Sequence, residues 1–355
     1  MNVNEAPSSW SGPLAQAAAK VAAAARTLGT SQWASTVRAW CVPYLFHGME
    51  DAFKREGDPA LGLTTVFEEL TAYLTASANA GFGQFSPPAS ERDANLVVEK
   101  MTGEHYGRLF REFDKESFAA EPARLLRDRL VRNDVKLPDL ASARVLDAGC
   151  GGGRYSVAWH LLGAREVLGV DLSEPGIADA RARAEAMKLE GVSFEHHDVV
   201  ELPLPAASFD IVFSNGVLHH TRDWKRGVHN LVRVLKPGGL GWLYLIENPG
   251  GYFWDVIELG REIMKHEVHE HARVAVALLG LPANRVFYML DHVMAPINLR
   301  LTAEQISGEL AAAGARDIRR LTRGTDFDRV ERIHQGDPCA VDKYGAGEHR
   351  FVFSR

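Results

Sequence analysis

Three features of the 355-residue sequence predict an α/β fold built on a doubly wound parallel sheet. Short apolar runs alternate with helix-like stretches between Arg144 and Ile246, the pattern of strands joined by helical crossovers. The runs are almost continuously apolar, as in strands covered on both faces. The first of them carries an acid at its end and runs into glycines, the kind of strand-to-helix turn beside which such sheets hold ligands.

The chain opens on helical patterning. Leu14–Leu28, Trp33–Phe53 and Val66–Ser77 are separated by Gly29-Thr30-Ser31 and Gly57-Asp58-Pro59. Trp33, Val37, Trp40, Cys41 and Tyr44 follow helical spacing, as on one buried face. Gly81 to Pro88 breaks regular structure and reads as a linker. Residues 1–95 are therefore expected as a helical extension or lid, and 96–355 as the main domain, with a core over 141–246 and an insertion over 247–300.

The predicted strands are Arg144–Asp147, Glu166–Asp171, Val192–Glu195, Phe209–Phe213 and Gly241–Ile246. Helices are expected between most of them, over Tyr155–Leu162, Gly176–Leu189 and Lys225–Leu235. Beyond the core, Glu258–Leu279 reads as one helix. Thr302–Ala313 reads as another, with Thr302 and Gln305 at capping-box positions. Ala315–Thr322 and His349–Ser354 are expected as two last strands, separated by a loop-rich stretch from Asp326 to Gly347.

Composition narrows the function. Forty Lys+Arg against 46 Asp+Glu leave a formal charge of −6, with no long basic block, which argues against sequence-independent nucleic-acid binding. Cys41, Cys150 and Cys339 lie far apart, so neither a disulfide framework nor a zinc knuckle is expected. His266, His269 and His271 lack H-E-x-x-H spacing and fit a solvated helix face, so no metal is expected. No apolar stretch reaches the ~20 residues that cross a bilayer, and the acidic first residues do not resemble a leader. The expectation is a cytoplasmic protein with no membrane partner.

The chemistry concentrates in Val145-Leu-Asp-Ala-Gly-Cys-Gly-Gly-Gly-Arg-Tyr-Ser156, where Asp147 leads into Gly149, Gly151, Gly152 and Gly153. Glycines here let a backbone approach a ligand closely and tolerate positive φ. The dinucleotide pattern G-x-G-x-x-G/A fails, since its third small position falls on Arg154. Asp147 would also repel a pyrophosphate, whereas it suits an ammonium or sulfonium group. Asp171 follows 24 residues later at the next strand end, placed to accept from both hydroxyls of a ribose. Asp198 follows the third strand, where a carboxylate can accept from the exocyclic amine of adenine. No Walker loop and no G-x-S-x-G is present.

VLDAGCGGG, GVDLS, HHDVVELPLPAASFDIVFSNGVLHH and LKPGG, in this order, resemble the class I S-adenosylmethionine-dependent methyltransferases, and more closely their UbiE-like, methyltransferase type 11 branch. The resemblance covers about residues 144–246. It implies a Rossmann-like, seven-stranded sheet finished by an antiparallel strand, with the helical extension in front and the helical insertion before the last two strands. It also implies S-adenosyl-L-methionine across Asp147, Gly149, Gly151, Asp171, Leu172, Asp198, Val199 and Asn215. Glu104-His-Tyr106-Gly-Arg-Leu-Phe110 resembles a short family helix that would bring Tyr106 to the methionine end.

The function implied is methyl transfer to a small-molecule acceptor. His219 and His220, just past the fourth strand, are the candidate catalytic bases, with a helix-start pair as the plainer alternative. Aminocarboxypropyl transfer or cyclisation with the same cofactor remains open, and an RNA methyltransferase is opposed by the acidic balance. The segments outside the core are expected to wall the acceptor pocket, and a homodimer is compatible with the chain.

Overall fold

The computed structural model describes residues 9–80, 116–245, 248 and 250–355. The linker predicted at 81–88 and the segment around Tyr106 lie outside the described residues. Three helices open the fold: α1 (Gly12–Thr27), α2 (Gln32–Lys54) and α3 (Pro59–Asn79). The third begins earlier than the apolar pattern predicts, because Asp58 caps it on Ala60 N at 2.9 Å and Pro59 presets its first turn.

The sheet contains β1 (Arg144–Ala148), β2 (Glu166–Asp171), β3 (Val192–His196), β4 (Phe209–Asn215), β5 (Leu235–Tyr244), β6 (Arg316–Arg320) and β7 (Arg350–Ser354). Their order is β3-β2-β1-β4-β5-β7-β6, with β7 antiparallel to both neighbours and the others parallel. The seven-stranded doubly wound sheet inferred from the motifs is therefore present. Chain direction reverses its spread between β1 and β4, the crevice where ligands enter such sheets. LKPGG forms the start of β5, where Lys236 bonds both carboxylate oxygens of Asp210 at 2.9 Å, so this motif shapes the far end of the sheet.

Strand side chains alternate between two cores. Leu146, Leu168, Val212 and Leu243 meet one helical layer, including α7 (Trp224–Val234) and α11 (Ala303–Ala312). Val145, Val167, Phe213 and Trp242 meet the other, with α4 (Glu121–Arg132) and α5 (Arg154–Leu161). α6 (Glu174–Ala186) packs Ile177 and Ala180 on Phe194 of β3. The capping box of α11 is present as expected, with Thr302 and Gln305 bonded reciprocally.

A third core lies away from the sheet. The single helix expected over Glu258–Leu279 is instead two, α8 (Tyr252–Met264) and α9 (His269–Ala277), followed by α10 (Ala283–Met294). Within the break Glu267 pairs with Arg38 at 2.8 Å, the two side chains largely covered. That tertiary contact overrides helical propensity. Leu45, Phe46 and Met49 of α2 share this core with Ile257, Ile263, Met289 and Val293. The Trp33/Trp40 face packs here as well, Trp40 Nε1 donating to Ala275 O at 3.0 Å. The chain's beginning and the insertion thus form one helical layer. The loop-rich stretch after Asp326 holds two short helices, α12 (Arg329–His334) and α13 (Ala340–Tyr344). No helix among the described residues is long and apolar enough to cross a membrane.

Candidate active site

The glycine loop is tied down by β2. Gly149 N and Cys150 N both donate to Val170 O, at 2.7 and 2.9 Å, and Gly151 N donates to Asp171 Oδ2 at 2.8 Å. A pyrophosphate-binding loop needs such amides free, so the exclusion of a dinucleotide gains a geometric basis. Gly149 has φ +82°, and a Cβ there would collide with Val217 just past β4. Gly153 has φ +85°, with the Phe194 ring 2.8 Å from the same hypothetical atom. These two glycines are required by backbone conformation and by protein packing, in addition to the ligand approach the sequence suggests.

Asp147 is only 2% exposed, and its Oδ2 accepts from Ser156 Oγ at 2.6 Å. Burial, opposed by that bond and aided by Asp171, pushes its carboxyl up to about 7. It anchors α5 to β1 from beneath the loop. Asp171 is half-buried, and its second oxygen accepts from Ser173 N at 2.8 Å. Burial raises its carboxyl pKa, against the two backbone bonds that hold the charge. Each oxygen of Asp171 takes one backbone N–H, and a carboxylate oxygen has room for a second donor. Leu172 beside it is 42% exposed.

Asp198 caps the turn Val199–Glu201 through Val200 N at 2.8 Å, and its other oxygen takes Arg222 at 3.3 Å. Val199 is buried beside it. Asn215 ends β4 and accepts from Trp242 Nε1 at 3.2 Å. Strand order therefore gathers Gly149, Gly151, Asp171, Leu172, Asp198, Val199 and Asn215 along one carboxyl edge, with Asp147 below them.

His219 and His220 occupy the turn Leu218–His220 past β4, the first buried and the second half-buried. His219 is 1% exposed and its carbonyl accepts from Leu299 N at 2.9 Å. Burial, with His220, Arg300 and His292 nearby, holds its pKa well below the usual imidazole range. His220 bonds Ile297 O through Nδ1 at 2.7 Å. A carbonyl only accepts, so Nδ1 carries the proton and Nε2 keeps its lone pair. Burial lowers the His220 pKa, Arg261 and Arg300 adding to it while Asp291 and the Ile297 bond oppose.

Sequence patterning misses what faces these histidines. His292 of α10 bonds Tyr288 O through Nδ1 at 2.7 Å, and its ring stacks on Trp254 at 5.9 Å. Arg300 lies over Trp254 at 4.1 Å and bonds Glu258 at 2.7 and 2.9 Å. It also misses a buried ionic strap. Arg129 grips Asp328 with two bonds of 2.8 Å, Arg350 adds one of 2.9 Å, and Arg323 grips Glu331 at 2.8 and 3.0 Å. The mixed charges of Asp326–Arg332 were the only sequence signal for it. The three neighbouring histidines do not assemble: the break between α8 and α9 contains His266, and His271 bonds Thr36 Oγ1 at 3.0 Å. Among the described residues no group of three potential metal ligands occurs.

A family described as a methyltransferase domain matches residues 146–243. The chain is 36% identical over 176 residues to a 27-O-demethylrifamycin SV methyltransferase of Amycolatopsis mediterranei, covering 48% of this chain and 62% of that protein. It is 33% identical over 145 residues to a malonyl-acyl-carrier protein O-methyltransferase of Pseudescherichia vulneris, covering 41% and 53%. A ubiquinone biosynthesis O-methyltransferase of Ruegeria pomeroyi is 38% identical over 128 residues, covering 35% and 49%. The chain thus spans between 49% and 62% of the length of these curated relatives. Residues 146–243 contain the glycine loop, Asp171, Asp198 and the turn after β4. Residues 146–243, which carry β1 to β5, thus match a methyltransferase domain and are similar to the corresponding part of these methyltransferases.

Proposed function

We propose that this protein is a methyltransferase that uses S-adenosylmethionine to modify a hydroxyl group of a small molecule. The observation that carries the proposal is Asp171, half-buried at the β2 end, with each oxygen held by one backbone N–H and beside an exposed leucine. Such a carboxylate suits a ribose diol, and Leu172 with Val199 suits the faces of an adenine. Asp198 would take the exocyclic amine, and Gly149, Gly151 and Asn215 would border the amino-acid arm, with Tyr106 as a further expected contact. The burial of Asp147 under the loop fits an influence on that arm through charge rather than direct contact.

When bound, the donor supplies an electrophilic methyl on a sulfonium whose bond pair stays with sulfur. The chain's own contribution is to hold the acceptor, exclude water and take its proton. His220 is the proton acceptor we favour, since donation from its Nδ1–H to Ile297 O puts the ring's lone pair on Nε2. His219, more deeply buried and tied to the same segment, positions it. The helical layer beyond these histidines would form the roof.

S-adenosylhomocysteine is expected to raise the melting temperature, since a ligand of the folded state stabilises it by mass action. NADH is expected to leave it unchanged. A melting curve indifferent to saturating S-adenosylhomocysteine, or strongly shifted by NADH, overturns the proposal.

A further inference from the structure

We infer that Asn230 of α7 is a positioning residue of the donor site. It fixes the carboxylate of Asp198 for the exocyclic amine of adenine and so sets the preference for that base. The inference rests on the donor-binding reading proposed above.

Asp198 caps a single short turn of 3-10 helix, Val199–Glu201. A helix that short cannot pair its own carbonyls, so they need outside donors. Asn230 supplies them, its Nδ2 donating to Val199 O at 3.1 Å and to Val200 O at 2.9 Å. One turn further along the same helix, Arg233 donates to Leu202 O at 2.7 Å and to Leu204 O at 2.6 Å. Its Nε also donates to Asn230 Oδ1 at 3.3 Å. The carboxamide's two N–H groups and its oxygen are thus matched by two carbonyls and a guanidinium. The path from Asn230 to the carboxylate is short. Val200 offers its carbonyl to Asn230 and its N–H to Asp198 Oδ1 at 2.8 Å. Freed from Asn230, the Val200 peptide can turn, and the carboxylate turns with it.

A rotation at Asp198 matters because both of its oxygens are engaged. Oδ1 holds Val200 N, and Oδ2 takes Arg222 at 3.3 Å. A carboxylate oxygen accepts two bonds, so each retains one position for a ligand. A hydrogen bond weakens steeply as its angle closes, so those positions serve only while the carboxylate keeps its orientation. The Arg222 side chain is 53% exposed, so water screens its hold on Oδ2 and the backbone route through Asn230 decides. The same helix supports the histidine turn. Gly227 lies against Leu218, where a Cβ would meet the leucine at 2.5 Å, and Asp223 caps the helix through Arg226 N at 3.0 Å. α7 therefore holds the loop after β3 and the turn carrying His220 in one frame.

The test uses the full chain and two probes, S-adenosylhomocysteine and its 6-deamino analogue, in which hydrogen replaces the exocyclic amine. Calorimetry gives the ratio of their affinities. The wild-type chain is expected to prefer the amine-bearing probe by about tenfold or more, the worth of one charge-assisted bond. Asn230→Ala is expected to bring that ratio down to about twofold, by weakening S-adenosylhomocysteine and hardly touching the analogue. Asn230→Asp keeps the acceptor for Arg233 and loses both donors, so it reads the same ratio where the alanine variant fails to fold. Thr302→Ala is the control for stability alone, since its cap lies on another helix. It is expected to lower the melting temperature and leave the ratio at its wild-type value. A folded Asn230 variant that keeps the full ratio, or a Thr302→Ala chain that loses it, overturns the positioning role and leaves the donor reading intact. A wild-type chain that binds both probes equally overturns the adenine role of Asp198 and this inference with it. Failure of the wild-type chain to bind S-adenosylhomocysteine overturns the donor reading as well.

Discussion

Around the glycine loop, the hydrogen bonds that shape the site join residues close in sequence. Gly151 reaches Asp171, 20 positions away, and Ser156 reaches Asp147, 9 away. Outside the loop the scale changes. His220 meets Ile297 at a separation of 77, Arg129 meets Asp328 at 199, and Trp40 meets Ala275 at 235. The glycine loop is a local strand-turn-helix device, whereas the rest of the fold is held by contacts between distant segments. The first tolerates change in the rest of the chain, whereas the second depends on all its parts folding together.

Removing residues 1–80 should show the largest effect. It would strip α8, α9 and α10 of the core they share with α2. Amide exchange is expected to show these helices unprotected or the chain insoluble, with β1 to β5 still protected in any soluble product. A truncated chain whose α8–α10 remain fully protected would break the contrast.

Next in size is the ionic strap. Asp328→Ala leaves Arg129 and Arg350 buried without their partner and should cost about 3–5 kcal/mol by denaturant unfolding. Burial alone would raise the Asp328 carboxyl, but Arg350 and Arg129 outweigh it and hold the pKa well below the usual range. Its stabilisation is therefore complete above the ordinary carboxylate pKa and fades only as pH falls below it. A loss under 1 kcal/mol would make the strap ornamental.

Asp171→Ala tests the local side. The variant is expected to stay folded and to bind S-adenosylhomocysteine about a hundredfold more weakly, since charge-assisted bonds to the ligand and the tether on Gly151 go together. Unchanged affinity in a folded variant, read by calorimetry, would remove the ribose role.

A pH series sharpens the distant side. Burial holds His292 and His349 at about 4, so both take up protons more readily when unfolded. These two histidines should make stability decline from pH ~6.5 toward pH ~4, as the unfolded chain binds their protons first. Asp147, protonated earlier in the folded chain, offsets part of the slope. His292→Gln is expected to flatten part of that slope. The smallest effect belongs to Thr302→Ala, which deletes a helix cap for about 1 kcal/mol, seen as a modest drop in melting temperature.

The sequence by itself determined the parts whose physics is local. Apolar runs had to become buried strands, the glycines marked the turn with its positive φ, and Asp171 at the next strand end was visible from spacing alone. Thr302 and Gln305 announced their helix for the same reason, since a cap involves neighbours three residues apart. Tertiary structure decided the rest. Asp147 sits below the loop rather than on its surface because Ser156 of the following helix claims it. The expected helix over Glu258–Leu279 breaks because Glu267 finds Arg38, more than two hundred positions away. The contacts of His292 and Arg129 follow from packing between segments that share no sequence neighbourhood. No local pattern carries that information, because only the folded chain brings those side chains within bonding distance.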